Sequence, residues 1–279
     1  MAQAPRVAGR LWSRDVQPMS IKSTVKATVA TGWDFTSRVR RSPPKLTILY
    51  YHAVPAGLAH RFDAQMAYLK ANANIVNPDH AGPLDPTRPN VAVTFDDAFR
   101  SVREHALPSL VRLQIPTTIF VPTGWMGRSP GWAMETSGDQ HEIVMTEEEI
   151  RSLPVDLVSI GSHTVDHPRL TTLQEAEGTA QLTSSRTTLE AMLRRQVDTL
   201  AFPYGEHNAR TIELAVAAGY RHVYTVSPQA IAASGASVSR GRTSADPADS
   251  PSLFALKTRG AFDWMPIASR LKKKLRRRS

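Results

Sequence analysis

The chain has 279 residues, 41% of them apolar, enough to build one large packed domain. It has no cysteine, which excludes disulfides, thiol nucleophiles and cysteine-ligated zinc and leaves the redox compartment open. The net charge of +9 sits at the two ends: residues 1–45 hold nine Lys/Arg and two Asp, residues 264–279 hold seven Lys/Arg and no acid, and residues 46–263 hold 18 basic against 23 acidic residues.

That mildly acidic body is a poor surface for a phosphate backbone, so no nucleic-acid partner is expected. No run of 18 apolar residues is present, and no apolar stretch follows Arg6, Arg10 and Arg14, so neither a transmembrane helix nor a signal peptide is predicted. The expected location is cytoplasmic.

In chain order, residues 1–45 read as a basic extension. Ile21, Val25, Val29 and Trp33 fall four apart, followed by Arg38, Arg40 and Arg41, the pattern of an amphipathic helix. Seven β-rich runs then recur: "LTILYYH" (46–52), "VAVTFDD" (91–97), "PTTIFVP" (116–122), "LVSIGSH" (157–163), "TLAFPYG" (199–205), "HVYTVS" (222–227) and "SVSRGRTS" (237–244). Most are continuously apolar, as strands buried on both faces of a parallel sheet are. Helical stretches lie between several of them. Residues 61–72 and 102–114 read as helices, the second with a kink at Pro108. Thr146 with Glu149 forms a capping box, and so does Thr172 with Glu175, which opens a long helix through Arg195. Residues 208–218 form a helix stopped by Gly219. The alternation predicts an α/β protein, either a barrel or a doubly wound sheet. The tail "FDWMPIASRLKKKLRRRS" places Trp264, Ile267 or Ala268, Leu271 and Leu275 at helical spacing among cations.

In both candidate folds, chemistry gathers at the C-terminal ends of strands. His52, Asp96, Asp97, His163 and Tyr204 all close an apolar run. Adjacent carboxylates at a buried strand end repel each other and are costly to desolvate. They could cap a solvated turn, or a metal could hold one and leave the other as a base. His163 and His167 could be two hydrogen-bonded loop histidines. With one carboxylate they could instead form the open ligand set of a catalytic metal site. "FPYG" could be a plain turn, or could aim a backbone N–H at a developing oxyanion.

"TFDDA" (94–98), "SHTVDH" (162–167) and "FPYG" (202–205), in this order, closely resemble the three central motifs of the polysaccharide deacetylase family, the NodB-homology domain of carbohydrate esterase family four. The resemblance covers residues 46–244. It implies a distorted (β/α) barrel of about seven parallel strands at residues 46–260, flanked by the basic extension (1–45) and a basic tail (261–279). It implies metal-assisted removal of N-acetyl groups from amino sugars of a polysaccharide or a lipid-linked glycan. Asp96 would be the base, and Asp97, His163 and His167 the ligands of a divalent metal, zinc before cobalt, manganese or nickel. Pro203 and Tyr204 would contact substrate, with the Tyr204 N–H on the oxyanion.

The chain departs from the family pattern at two places. Ala201 stands where the family has an arginine that orients the base; Arg240 is the candidate replacement, with Arg242 behind it. No histidine follows His222, so the family's late general-acid histidine is missing. His52 could give the leaving amine its proton, or merely line the pocket. Trp125 and Trp132, in the loop after the third run, could stack a sugar or anchor that loop. A catalytically silent glycan-binding member and an amidase for a non-sugar amide are the competing readings. Both basic ends could hold the protein peripherally at the inner face of a membrane.

Overall fold

Each of the seven apolar runs becomes a strand of one parallel sheet that curls into a nearly closed barrel with helices outside. The computed structural model describes residues 21–39, 43–134, 137–232, 237–266 and 268–269. The strands are β1 (Lys45–Tyr51), β2 (Asn74–Ile75), β3 (Asn90–Phe95), β4 (Thr117–Val121), β5 (Val158–Ser162), β6 (Thr199–Ala201), β7 (His222–Thr225), β8 (Ile231–Ala232), β9 (Ser239–Gly241) and β10 (Thr243–Ser244). Around the sheet the order is β10-β1-β3-β4-β5-β6-β7-β9, every neighbouring pair parallel.

The seventh run is split, which the sequence did not foretell. Residues 239–241 pair with β7 and residues 243–244 pair with β1, so one six-residue stretch spans the seam of the barrel with Arg242 between the two pairings. Two short strands distort the ring further. β2 pairs with the start of β3, on the edge whose later residues pair with β4, and β8 runs antiparallel to the start of β1.

Alternation along the strands sorts the core into an inside and an outside. Leu46 and Ile48 of β1, Ala92 of β3, Phe120 of β4, Ala201 of β6 and Tyr224 of β7 are buried together inside the barrel. Leu49, Tyr51, Val91, Val93 and Phe95 point outward and pack with Phe62, Met66 and Leu110 of the surrounding helices.

The helices are α1 (Ile21–Val39), α2 (Ala59–Asn72), α3 (Leu107–Leu113), α4 (Glu147–Arg151), α5 (Glu175–Leu193), α6 (Ala209–Ala217) and α7 (Pro251–Thr258). At Pro108 the segment changes its helical register: the turn before it, Val102–Ala106, is π-helical, which accommodates the missing N–H, and α3 follows. The capping box of Thr146 and Glu149 forms, with hydrogen bonds of 3.1 and 2.8 Å. The second box does not form at Thr172. Gln174 and Glu177 make it instead, because Thr172 lies in a 3₁₀ turn and its hydroxyl donates to the carbonyl of Arg169. Asn208 caps α6, and Gly219, at φ 93°, ends it.

α1 packs on α7 through Ala30, which is buried against Leu256, Ala261 and Phe262, and Asp34 pairs with Arg259 at 3.0 Å. The predicted stripe is therefore only partly used: Trp33 is half-buried, while Val29 is 44% exposed. Of the C-terminal tail, Trp264 and Ala268 make a helical hydrogen bond, and Ile267, Leu271 and Leu275 lie outside the described residues. Among the described residues no helix is long and apolar enough to cross a membrane.

Candidate functional site

Three strand ends meet at the C-terminal mouth of the barrel. Asp96 and Asp97 follow β3, His163 follows β5, and Tyr204 follows β6. The loop beyond β5 is fastened in several places. The Thr164 N–H donates to the Ser162 hydroxyl, which in turn meets Ser185 of α5 at 2.8 Å. Gln181 of α5 accepts from the N–H groups of Val165 and Asp166. The His167 N–H donates to Thr164 Oγ1. Gln181 and Ser185 lie mid-helix, where no sequence signal marked them.

Backbone strain collects here. Among the described residues seven non-glycine residues have positive φ, and two of these, Gln114 and Arg194, are helix C-caps. The other five are Asp97 (66°), Ala98 (50°), Thr164 (67°), His167 (57°) and Tyr204 (57°), all in the three loops at the mouth. Such conformations persist only where the surroundings over-determine them, and they mark sites that need a particular side-chain direction.

His163 Nδ1 lies 2.8 Å from the carbonyl oxygen of Ala201. A carbonyl can only accept, so the ring proton is on Nδ1 and the Nε2 lone pair is free to point at Asp97. That Nε2 is 3.5 Å from Asp97 Oδ1, and His167 Nε2 is 3.4 Å from the same oxygen. Burial pulls the His163 ring down to about 4 and the His167 ring down to about 2, with the neighbouring histidine adding to the effect at His167. Both imidazoles are thus neutral near pH 7. One ligand atom from each of Asp97, His163 and His167 lies within 4.8 Å of the others, and all three residues are buried. A buried carboxylate facing two neutral imidazole nitrogens fits a divalent cation of borderline softness.

Asp96 is held differently. Arg242 donates to it through both terminal nitrogens, at 2.7 and 2.8 Å, and also to Thr94 Oγ1 and the Thr225 carbonyl. Burial alone would raise the Asp96 carboxyl; the charge of Arg242, with its hydrogen bonds, outweighs it and carries the group to about 2. The guanidinium lies among the rings of Tyr50, Phe120 and Tyr224, 4.8 to 5.9 Å from their centroids.

The expected partner of Asp96 was Arg240, and the structure puts it elsewhere. Arg240 is fully buried at the floor of the barrel, donates to the Pro78 carbonyl, and lies 3.4 Å from His222 Nε2. Both arginines face inward because they are two apart. Two residues of strand are about 6.6 Å of rise, and only Arg242 stands high enough to reach the mouth.

His52 follows β1 with its ring edge-on to Tyr50 at 5.6 Å. Tyr204 packs against His167, ring centroids 4.7 Å apart, and Pro203 is buried in the same turn. Trp132 stacks directly on His167 at 4.4 Å and lies nearly parallel to Phe99. Trp125 is one layer back, edge-on to Trp132.

The family model for polysaccharide deacetylase matches residues 84–223, half of the chain, and spans Asp96 through Tyr204. The chain belongs to the polysaccharide deacetylase family. The polysaccharide deacetylase family protein YxkH of Bacillus subtilis (strain 168) is 29% identical over 199 residues, 67% of each chain. The solved structure of IcaB from Ammonifex degensii superposes with a TM-score of 0.65 at 25% identity, over 77% of this chain and 97% of that one. The Streptococcus pyogenes deacetylase PplD, solved with acetate, superposes with a TM-score of 0.64 at 22% identity, over 78% of this chain and 99% of that one, and shares the fold. The chain is accordingly a hydrolase of the polysaccharide deacetylase class, acting on the amide bond of N-acetylated sugars, and its substrate is a glycan. The distorted parallel barrel expected of the family is the one observed.

Proposed function

We propose that this deacetylase is metal-dependent and removes acetyl groups from N-acetylated amino sugars of a surface polysaccharide or its lipid-linked precursor. The observation that carries the reading is the division of labour between adjacent carboxylates. Asp97 faces two neutral imidazoles, and Asp96 faces a guanidinium.

Asp97, His163 and His167 would hold the metal, with zinc the best match to one carboxylate and two imidazoles. When bound, a divalent metal polarises the acetamide carbonyl and lowers the pKa of an attacking water. Asp96 takes the proton of that water; Arg242 keeps the carboxylate ionised and aimed. The Tyr204 N–H donates to the oxyanion as the carbonyl carbon becomes tetrahedral. His52 stands at the mouth and gives a proton to the amine as the C–N bond breaks, leaving acetate and an amino sugar. Trp132, stacked on His167, would offer its ring to the sugar, and Trp125, edge-on to Trp132, would extend that aromatic surface.

Acetate release from chitooligosaccharides and from lipid-linked N-acetyl sugars, with zinc or cobalt added, tests the reading. Asp96→Asn should abolish release while cobalt still binds. No release from any acetylated sugar by a metal-loaded wild type would leave the silent glycan-binding protein or the non-sugar amidase. The +7 charge at each end supports peripheral attachment to an anionic membrane. Sedimentation with phosphatidylglycerol vesicles should then be strong at low salt and lost at high salt; a protein left in the supernatant at low salt overturns that part.

A further inference from the structure

Arg169 lies two residues past His167 and has no part in the chemistry above. Its guanidinium carbon stands 3.9 Å from the centroid of the Tyr204 ring. Its terminal nitrogen pairs with Glu206, two residues past Tyr204, and Thr171 Oγ1 lies 3.4 Å from the second oxygen of that carboxylate. Tyr204 is therefore held between the Arg169 guanidinium and the ring of His167.

The turn it belongs to is strained. Tyr204 at φ 57° is followed by Gly205 at φ 64°, so two consecutive residues are left-handed. Glycine is required at the second: a Cβ there would meet Val226 Cγ2 at 2.2 Å. Tyrosine gains nothing from that conformation and must be held in it. Hydrogen bonds from the Gly205 N–H to Phe202 and from the Glu206 N–H to Pro203 close the turn on itself. They do not tie it to the loop that carries His167. The Arg169–Glu206 pair does.

We propose that Arg169, clamped by Glu206, is a positioning residue that latches the turn after β6 to the loop after β5 and so fixes the direction of the Tyr204 N–H. This rests on the reading of that N–H as the oxyanion donor. Arg169 and Glu206 are 44% and 42% exposed, and a pair so exposed adds little to global stability. The latch acts through geometry instead, because a donor stabilises a developing oxyanion only if it is already aimed.

The test compares wild type, Arg169→Met, Arg169→Lys and Glu206→Gln in the full chain. Steady-state deacetylation is read together with hydrogen exchange of peptides spanning residues 202–207. Arg169→Met should lower kcat about tenfold with KM held within about twofold, a smaller loss than deleting an oxyanion donor outright. Exchange in 202–207 should speed up while the rest of the barrel is unchanged. Arg169→Lys keeps the charge but not the planar stack, so it should fall between the two. Glu206→Gln should move both readouts in the same direction as Arg169→Met. Unchanged exchange in 202–207 overturns the latch, whether or not kcat falls; so does faster exchange throughout the barrel, which would make Arg169 a global stabiliser. If wild type releases no acetate, the deacetylase reading fails separately, and the exchange comparison still decides the latch.

Discussion

Arg242 shows how one side chain can set the chemistry of another. A buried carboxylate left alone would bind a proton; the two-pronged guanidinium makes Asp96 an anion instead. Replacing Arg242 with Met would leave that carboxylate buried and unpaired. The expected cost is about 3 kcal/mol or more, together with an acid limb of the pH–rate profile displaced upward. Thermal unfolding and a pH–rate series check both. An acid limb that stays in place would show that Arg242 does not govern the protonation of Asp96. Arg240 is the instructive contrast: the same residue type, two positions earlier on the same inward face, serves the floor of the barrel.

Strand β5 illustrates how an element delivers a ligand. It is thin near its C-terminal end because Gly161 lets Phe120 of β4 and Thr199 of β6 close over it. A Cβ at residue 161 would meet Phe120 Cδ1 at 2.5 Å and Thr199 Oγ1 at 2.7 Å. Gly161→Ala should therefore destabilise the fold by about 1–3 kcal/mol, the usual cost of overpacking. It should also weaken metal binding, since His163 lies two residues on and loses its alignment with the Ala201 carbonyl. Calorimetric titration with zinc against wild type reads this directly. Unaltered zinc affinity would mean that the loop, held by α5, positions His163 without help from the strand.

For the molecule as a whole, the same burial that prepares the site makes the metal-free protein acid-sensitive. Folded His163 stays neutral down to about pH 4 and His167 to about pH 2, whereas in the unfolded chain each takes a proton near 6.5. Below pH 6.5 the unfolded state therefore binds more protons. Stability is full above that pH and falls as the pH drops, by about 1.4 kcal/mol per unit for each histidine that remains neutral. Asp96 adds its own loss only below its unfolded value of 3.8, through about 2. Chelated protein should show a Tm that declines steadily from pH 6.5 to 4. Zinc should raise the Tm near neutrality, by about 2.7 kcal/mol of stability at a hundredfold excess over Kd. A flat Tm from pH 7 to 5 in the chelated protein would show that the imidazoles are not held neutral.

The sequence by itself determined the strands and the order of the motifs, because both are local. A continuous apolar run is a buried strand wherever it ends up, and a polar residue closing it must lie at the strand's end. Hence His52, Asp96, Asp97, His163 and Tyr204 were legible, and the fastened loop between His163 and His167 was visible as a glycine-to-proline segment. The tertiary structure alone decided which arginine faces Asp96, since that depends on depth along a strand at the barrel seam, 146 residues away in the chain. It alone placed Gln181, Ser185 and the Ala201 carbonyl around the histidines, and Arg169 over Tyr204. Those contacts join elements far apart in sequence, and no local pattern encodes a partner that only the closure of the barrel brings near.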